Sequence, residues 1–248
     1  DELALMDLGT PREALEAAAA EADFVFHLAG VNRPEDPDDF MRGNGDFTLE
    51  LTALLERGKK PPVVLASSIQ AALDNPYGAS KRAAEDAVAA YARRCGTRAY
   101  LYRLPNVFGK WSRPNYNSVV ATFCHNIARG LPIQVTDPAI QLNLIYVDDL
   151  VEEILAAIQG QAKGRVEHDR VGAPALVDLV REAAQQHNRE FQPLRGVDAH
   201  DLNAVAAAGS GPPERGFLVL QALEIAHKVA VAADFVIALR HREQTADV

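Results

Sequence analysis

The stretch Val63-Val64-Leu65-Ala66-Ser67-Ser68-Ile69-Gln70-Ala71-Ala72-Leu73-Asp74-Asn75-Pro76-Tyr77-Gly78-Ala79-Ser80-Lys81 decides the reading of this chain. Four apolar residues running into two serines read as a buried parallel strand that ends in hydroxyls. Tyr77 to Arg94 has helical periodicity and closes at Gly96. Thr97 to Leu104 reads as the next strand. Upstream, Lys59-Lys60-Pro61-Pro62 breaks the chain after an amphipathic helix, Asn44 to Arg57. Before that helix, Phe24-Val25-Phe26-His27-Leu28-Ala29 is another apolar run, stopped by Gly30. Pro11 to Ala22 is rich in Ala and Glu and reads as a helix, with Thr10 as its N-cap. Strand and helix alternate, so the strands pair in parallel through right-handed crossovers. The expected fold is α/β, a Rossmann-like doubly wound sheet.

Beyond Phe108 the regularity weakens. One helix, Ser118 to Arg129, lies among turn residues. Leu144-Ile145-Tyr146-Val147 reads as a strand. Asp148 and Asp149 read as caps of a helix from Leu150 to Gln159, and a further helix spans 174–188. The expected division is a cofactor-binding and catalytic core over 1–107, a small substrate-binding region over 108–202 and a tail over 203–248.

The composition narrows the class. Lys plus Arg is 25 and Asp plus Glu is 34 in 248 residues, a net charge of −9, and 48% of residues are hydrophobic. That apolar fraction excludes a disordered chain. The acidic balance, with no basic block, argues against nucleic acid and anionic membrane as partners. No apolar run reaches the roughly 18 residues of a membrane span, and no leader pattern opens the chain. Cys95 and Cys124 form no metal or redox spacing, and Cys124 reads as buried in its helix. A cytoplasmic location is expected.

Tyr77 and Lys81 stand four apart on one helix face, about 6 Å along the axis. An ammonium near a phenol favours the phenolate, so Lys81 is expected to lower the Tyr77 pKa and make it an acid or base near neutral pH. Ser68, at the end of the preceding strand, can hydrogen-bond a carbonyl or alkoxide beside that phenol. The set suits proton transfer coupled to hydride transfer, and the hydride must come from a nicotinamide because no side chain supplies one.

These residues resemble the extended short-chain dehydrogenase/reductases, the NAD-dependent epimerase/dehydratase family. His27-Leu28-Ala29-Gly30 resembles the family's fourth-strand motif, and Asn44-Gly45-Asp46-Phe47-Thr48 its next helix opening, with Phe47 in place of glycine. Ser68, Tyr77 and Lys81 match its catalytic triad. Arg103-Leu104-Pro105-Asn106-Val107-Phe108-Gly109 resembles a further motif, with Phe108 in place of tyrosine. The resemblance implies cofactor contacts from Leu28, Ala29, Gly30, Asn44, Ser67 and Pro105. It implies substrate contacts from Asn106 and, in the loop that follows, Lys110, Arg113, Asn115 and Asn117.

Asp-Asn-Pro-Tyr-Gly at 74–78 and Phe-Gly-Lys-Trp-Ser-Arg-Pro-Asn-Tyr-Asn at 108–117 look like one subgroup. Its members are bacterial capsule and O-antigen reductases of a UDP-2-acetamido-2,6-dideoxy-hexos-4-ulose. The implied activity is reduction of the C4 ketone, with NADP(H) rather than NAD(H), on a UDP-sugar, in a homodimer. A UDP-sugar 4-epimerase, a dehydratase and a non-catalytic dinucleotide-binding protein are the alternatives. The subgroup's metal-binding cupin domain has no counterpart here, since the histidines are scattered, and no metal site is expected.

A dinucleotide fold is expected to open on a first strand, glycine-rich turn, first helix and second strand, and no such pattern is read ahead of Pro11. The tail offers a substitute. It reads as a strand at 203–208, a glycine turn holding Gly209, Gly211 and Gly216, a helix at 217–229 and a strand at 234–240. Arg240 would then lie near the 2′-phosphate of NADP.

Overall fold

The computed structural model describes residues 2–7, 9–162, 169–190 and 236–240. They fall into two units. The first holds β1 (Glu2–Met6), α1 (Arg12–Glu21), β2 (Phe24–His27), α2 (Asp38–Phe40), α3 (Phe47–Arg57), β3 (Val63–Ser68), α4 (Pro76–Cys95) and β4 (Ala99–Leu104). The second begins with β5 (Asn106–Phe108), α5 (Val119–Ala128) and β6 (Gln141–Tyr146). Helix α6 (Val147–Ile158) belongs to the first unit from Asp149 onward. β7 (Asp169–Gly172) and α7 (Ala173–Glu190) belong to the second, and β8 (Val236–Arg240) to the first.

In the first unit β2, β3 and β4 are parallel, with Val25 opposite Val63 and Ser67 opposite Arg103. All four residues of β2 are buried, as the continuous apolar run requires of an inner strand. Alternate side chains serve opposite faces. Val25, Val63 and Leu65 pack with Leu51 and Leu55 of α3 and with Val88 and Tyr91 of α4. On α6, Glu153 accepts a 3.1 Å bond from the Tyr102 hydroxyl of β4, and Leu150 and Ile154 are buried. Each such aliphatic side chain contributes about 1.5–3 kcal/mol when fully buried.

Local chemistry shifts several boundaries. Thr10 does not cap α1. Its Oγ1 accepts from Asp7 N–H at 2.8 Å and donates to Asp7 Oδ1, closing a turn that leaves Pro11 at the cap. The helix expected from Asn44 begins at Met41, as a π-helical turn (Met41–Asp46) that runs into α3. Such wide turns reorient a side chain, and here Asn44 is buried within one. Asp148 and Asp149 are not caps, because α6 starts at Val147 and puts both in its first turn. Carboxylates are favoured there by the helix dipole. Cys124 is exposed, not buried.

The tail strand expected at 234–240 is present as β8, and it lies beside β2. It runs antiparallel to β2 and to β1, with Val25 opposite Ala238 and Glu2 opposite Arg240. A strand of a doubly wound unit would run parallel. Arg240 therefore sits at the amino edge of β2, whereas dinucleotides bind beyond the carboxyl edge. The proposed contact to a 2′-phosphate is corrected on that ground. Gly209, Gly211 and Gly216, with the strand and helix expected at 203–229, lie outside the described residues.

The second unit pairs β5 with β6 in parallel and β6 with β7 antiparallel. Phe123 of α5, Leu144 of β6 and Leu176 and Val177 of α7 form its core. Ser118 caps α5, its hydroxyl accepting from Ala121 N–H.

Candidate active site

The junction between β3 and α4 builds the first half of the site. After Ser68 the chain makes a 3₁₀ turn (Ile69–Ala72), and α4 opens on Pro76 with the Asn75 side chain accepting from Gly78 N–H at 2.7 Å. Gly78 lets the helix start lie against that turn. A Cβ there would stand 2.4 Å from the Gln70 carbonyl oxygen and 2.6 Å from that of Leu73. Arg82 ties the same segment down, donating to the carbonyls of Ala71 and Leu73 at 2.6 Å each. The outcome is that the Ser68 hydroxyl lies near enough to the Tyr77 phenol to pull its pKa down.

Lys81 is buried one turn further on. Its ammonium donates to the Ala66 carbonyl at 2.8 Å and lies 3.2 Å from where a Gly30 Cβ would be. Burial pushes Lys81 down to about 8, opposed by the charge of Glu85. The expected lowering of Tyr77 is corrected. Burial raises its pKa, and the neighbouring Ser68 hydroxyl pulls the other way. With its ammonium turned to Ala66, Lys81 leaves Tyr77 a protonated phenol at neutral pH.

The turn at Gly30 builds the second half. Asn44 reaches out of its π-helical turn to accept from Val31 N–H and donate to Val31 O, and it donates to Ser80 Oγ on α4, each at 2.9 Å. A Cβ on Gly30 would meet Asn44 Oδ1 at 2.9 Å, so the close approach needs glycine. A cavity of about 610 Å³ opens beside this turn, lined by Ala29, Gly30 and Val31 and by Arg12 and Arg42 among others. That volume is in the range of ligand pockets. With Lys81 beside Gly30, these residues fit a nicotinamide dinucleotide laid over the carboxyl edge of β2. Leu28 is buried beneath the turn. Ser67 is buried at the end of β3, and Pro105 directly follows β4.

His27 sits below that turn. Thr48 Oγ1 donates to the Asn44 carbonyl at 2.6 Å, so it accepts from His27 Nε2–H at 2.7 Å. Nδ1 is then a buried acceptor without a partner among the described residues. Burial, and next the charge of Lys81, push His27 down to about 3. The unfolded chain binds this proton below about pH 6.5 and the folded one does not, so stability falls as pH drops from 6.5 toward 3. At pH 5 the loss from this group is about 2 kcal/mol. A His27→Gln variant is expected to show a flatter fall in urea midpoint between pH 6.5 and 5 than the native chain.

The expected substrate residues lie in the second unit. Asn106, Lys110, Arg113, Asn115 and Asn117 are exposed. Lys110 Nζ pairs with Asp148 Oδ2 at 2.6 Å, and Asn106 Nδ2 donates to the Asn143 carbonyl at 3.2 Å. Asn115 adopts a positive φ of 58°, its N–H bonded to Thr122 Oγ1. A cavity of about 570 Å³ in this unit is walled by their neighbours Phe108, Ser112 and Pro114 and by Cys124, His125 and Arg129. Its cation is Arg129, which sequence reasoning passed over because it read as a helix end.

Glu85 was also passed over. It is buried, and its carboxylate accepts from Ser67 Oγ at 2.5 Å and from Arg103 Nε and Nη2 at 2.9 and 2.7 Å. The signal was its place four residues after Lys81.

The NAD dependent epimerase/dehydratase family profile matches residues 2–171. The chain belongs to that family. A curated family relative, UDP-2-acetamido-2,6-beta-L-arabino-hexul-4-ose reductase of Pseudomonas aeruginosa, is 50% identical over 145 residues, 58% of this chain and 39% of the relative. Ceramide reductase of Caulobacter vibrioides is 31% identical over 205 residues, 81% of this chain and 61% of the relative. Among solved structures, the capsular polysaccharide assembling protein CapF of Staphylococcus aureus superposes with a TM-score of 0.64 at 46% identity. That match covers 73% of this chain and 51% of CapF. This epimerase/dehydratase chain thus spans from about two fifths to three fifths of the length of these relatives. Among the described residues no helix is long and apolar enough to cross a membrane.

Proposed function

We propose that this chain carries the reductase chemistry of a nucleotide-sugar enzyme, reducing the C4 ketone of a UDP-2-acetamido-2,6-dideoxy-hexos-4-ulose with NADPH. The observation that carries the reading is the Ser68 hydroxyl beside the Tyr77 phenol, with Lys81 one turn further along α4, in a chain 50% identical to a UDP-keto-sugar reductase over 145 residues. The nicotinamide, when bound, supplies the hydride to C4. Ser68 orients the carbonyl oxygen. Tyr77 gives that oxygen its proton, and a phenol kept protonated by burial is set to donate, which suits reduction. Lys81 holds the ribose. Leu28, Ala29, Gly30, Asn44, Ser67 and Pro105 cradle the cofactor. Asn106, Lys110, Arg113, Asn115 and Asn117 bind the sugar nucleotide, and two copies pair through α3 and α4 in the cytoplasm.

Titrating NADPH and NADH separately against the purified chain, then adding the UDP-keto-sugar, tests this. Saturable NADPH binding and substrate-dependent loss of nicotinamide absorbance are expected. Interconversion of UDP-sugars without net oxidation of NADPH would point to an epimerase, and failure to bind either dinucleotide would end the reading.

A further inference from the structure

Glu85 joins three elements that the reaction needs in fixed relation. It belongs to α4, one turn beyond Lys81 and two beyond Tyr77. Its Oε1 accepts from Ser67 Oγ at 2.5 Å, one residue before Ser68. Both its oxygens engage the guanidinium of Arg103, the β4 residue that stands opposite Ser67 in the sheet. A two-pronged pair of this kind fixes direction as well as distance. The carboxylate is buried although Arg103 is half exposed, so water does not hold it in place. Ser67 could satisfy its hydroxyl with a neutral acceptor, and a surface arginine needs no buried partner. Neither explains a charge placed here.

We propose that Glu85 is a positioning residue: its carboxylate ties α4, and with it Tyr77 and Lys81, to the ends of β3 and β4, and stands as the counter-charge one helical turn from Lys81. The inference rests on the catalytic reading of Ser68, Tyr77 and Lys81 given above.

The charges around Lys81 define the effect. Glu85 acts on it from α4, and Lys81 in turn acts on His27 of β2, which burial keeps neutral. Arg103 of β4 and Lys81 both act on Glu85. On the flanking elements, Arg42 pairs with Asp36 and Asp39, and Arg94 pairs with Glu56, all at the surface. Burial lowers Lys81, and Glu85 is the named group that opposes it. Burial likewise raises Glu85, but Arg103, Ser67 and Lys81 together hold it below the usual carboxylate range. Glu85 is thus ionised wherever Lys81 titrates.

The test is the E85Q variant, which keeps the shape and an acceptor for Ser67 but removes the charge. Lys81 is titrated by ¹⁵Nζ-lysine NMR in the cofactor-free chain, its signal assigned with K81M. Loss of an opposite charge one helical turn away is expected to lower the Lys81 pKa by about one unit. In the NADPH-dependent reaction the alkaline limb of kcat should move to lower pH by the same amount. E85D, which keeps the charge, should restore the Lys81 titration and leave kcat reduced. An unchanged Lys81 pKa in E85Q would overturn the proposal, whatever its effect on thermal stability. Should E85Q fail to fold, R103Q serves. It releases the carboxylate to Lys81, whose pKa must rise, and no rise there also overturns the idea. The NMR readout needs no turnover, so failure of the reductase reading shows separately, as a native chain that titrates as described yet reduces nothing.

Discussion

Replacing Tyr77 by phenylalanine is expected to reduce turnover by about 10²–10⁴-fold while NADPH binding stays within a few-fold of native. The change removes one oxygen. The ring stays in place, because it packs on Phe40 with centroids 5.5 Å apart and needs no hydroxyl to hold that contact. Ser68 keeps its bond from Gln70 N–H at 3.2 Å. Nothing at the Gly30 turn changes, since Asn44 and Lys81 make their bonds to Val31, Ser80 and Ala66. The loss should therefore lie in kcat rather than in cofactor affinity. Dissociation constants from NADPH fluorescence and kcat from nicotinamide absorbance separate the two. Turnover within tenfold of native would remove Tyr77 from the proton-donating role.

Lys81→Met is expected to stabilise the chain and destroy its activity together. Holding the ammonium in a buried place moves its pKa from 10.5 to about 8. At neutral pH that costs the fold about 3 kcal/mol. Methionine fills similar volume without charge, and the bond to the Ala66 carbonyl is lost, so a net gain of about 1–2 kcal/mol follows. For a chain of this size Tm should rise by about 3–5 °C. Glu85 retains Arg103 and is not left alone. The gain depends on pH. The folded lysine releases its proton near 8 and the unfolded one near 10.5, so the native chain gains stability across that window and the variant's advantage shrinks as pH rises through it. Calorimetry at pH 7 and 10 reads the difference. A variant less stable than native at pH 7 would show that the Ala66 bond outweighs the burial of the charge.

Much of the fold was legible because its signals are local. Four consecutive buried residues at β2, the Asn75-Pro76 start of α4 and Gly96 in the left-handed conformation at its end are each written in a few adjacent letters. The strands β5 and β7 were not legible, since neither Asn106-Val107-Phe108 nor Asp169-Arg170-Val171-Gly172 holds an apolar run longer than two residues. The tail strand was legible as a strand but not in direction, since pairing depends on edges that sequence does not display. At the site, Ser68, Tyr77 and Lys81 could be read from spacing. The upward shift of Tyr77 could not, because it arises from burial, which only the folded chain shows. Glu85 was hidden for a related reason. Its partners are 18 residues away on two other strands, and only the paired register of Ser67 and Arg103 brings them to one carboxylate.

The antiparallel strand β8 also bears on how the chain is made. The core strands β2, β3 and β4 follow one another in sequence and can pair as they leave the ribosome. β1 cannot, for its partner in the sheet is β8. β1 therefore waits for β8 until residue 240 has emerged. Contacts of such long sequence separation are slow to form. Until then the open edges of β1 and β2 stand available to other extended chains, a hazard that a nascent-chain chaperone would be suited to cover.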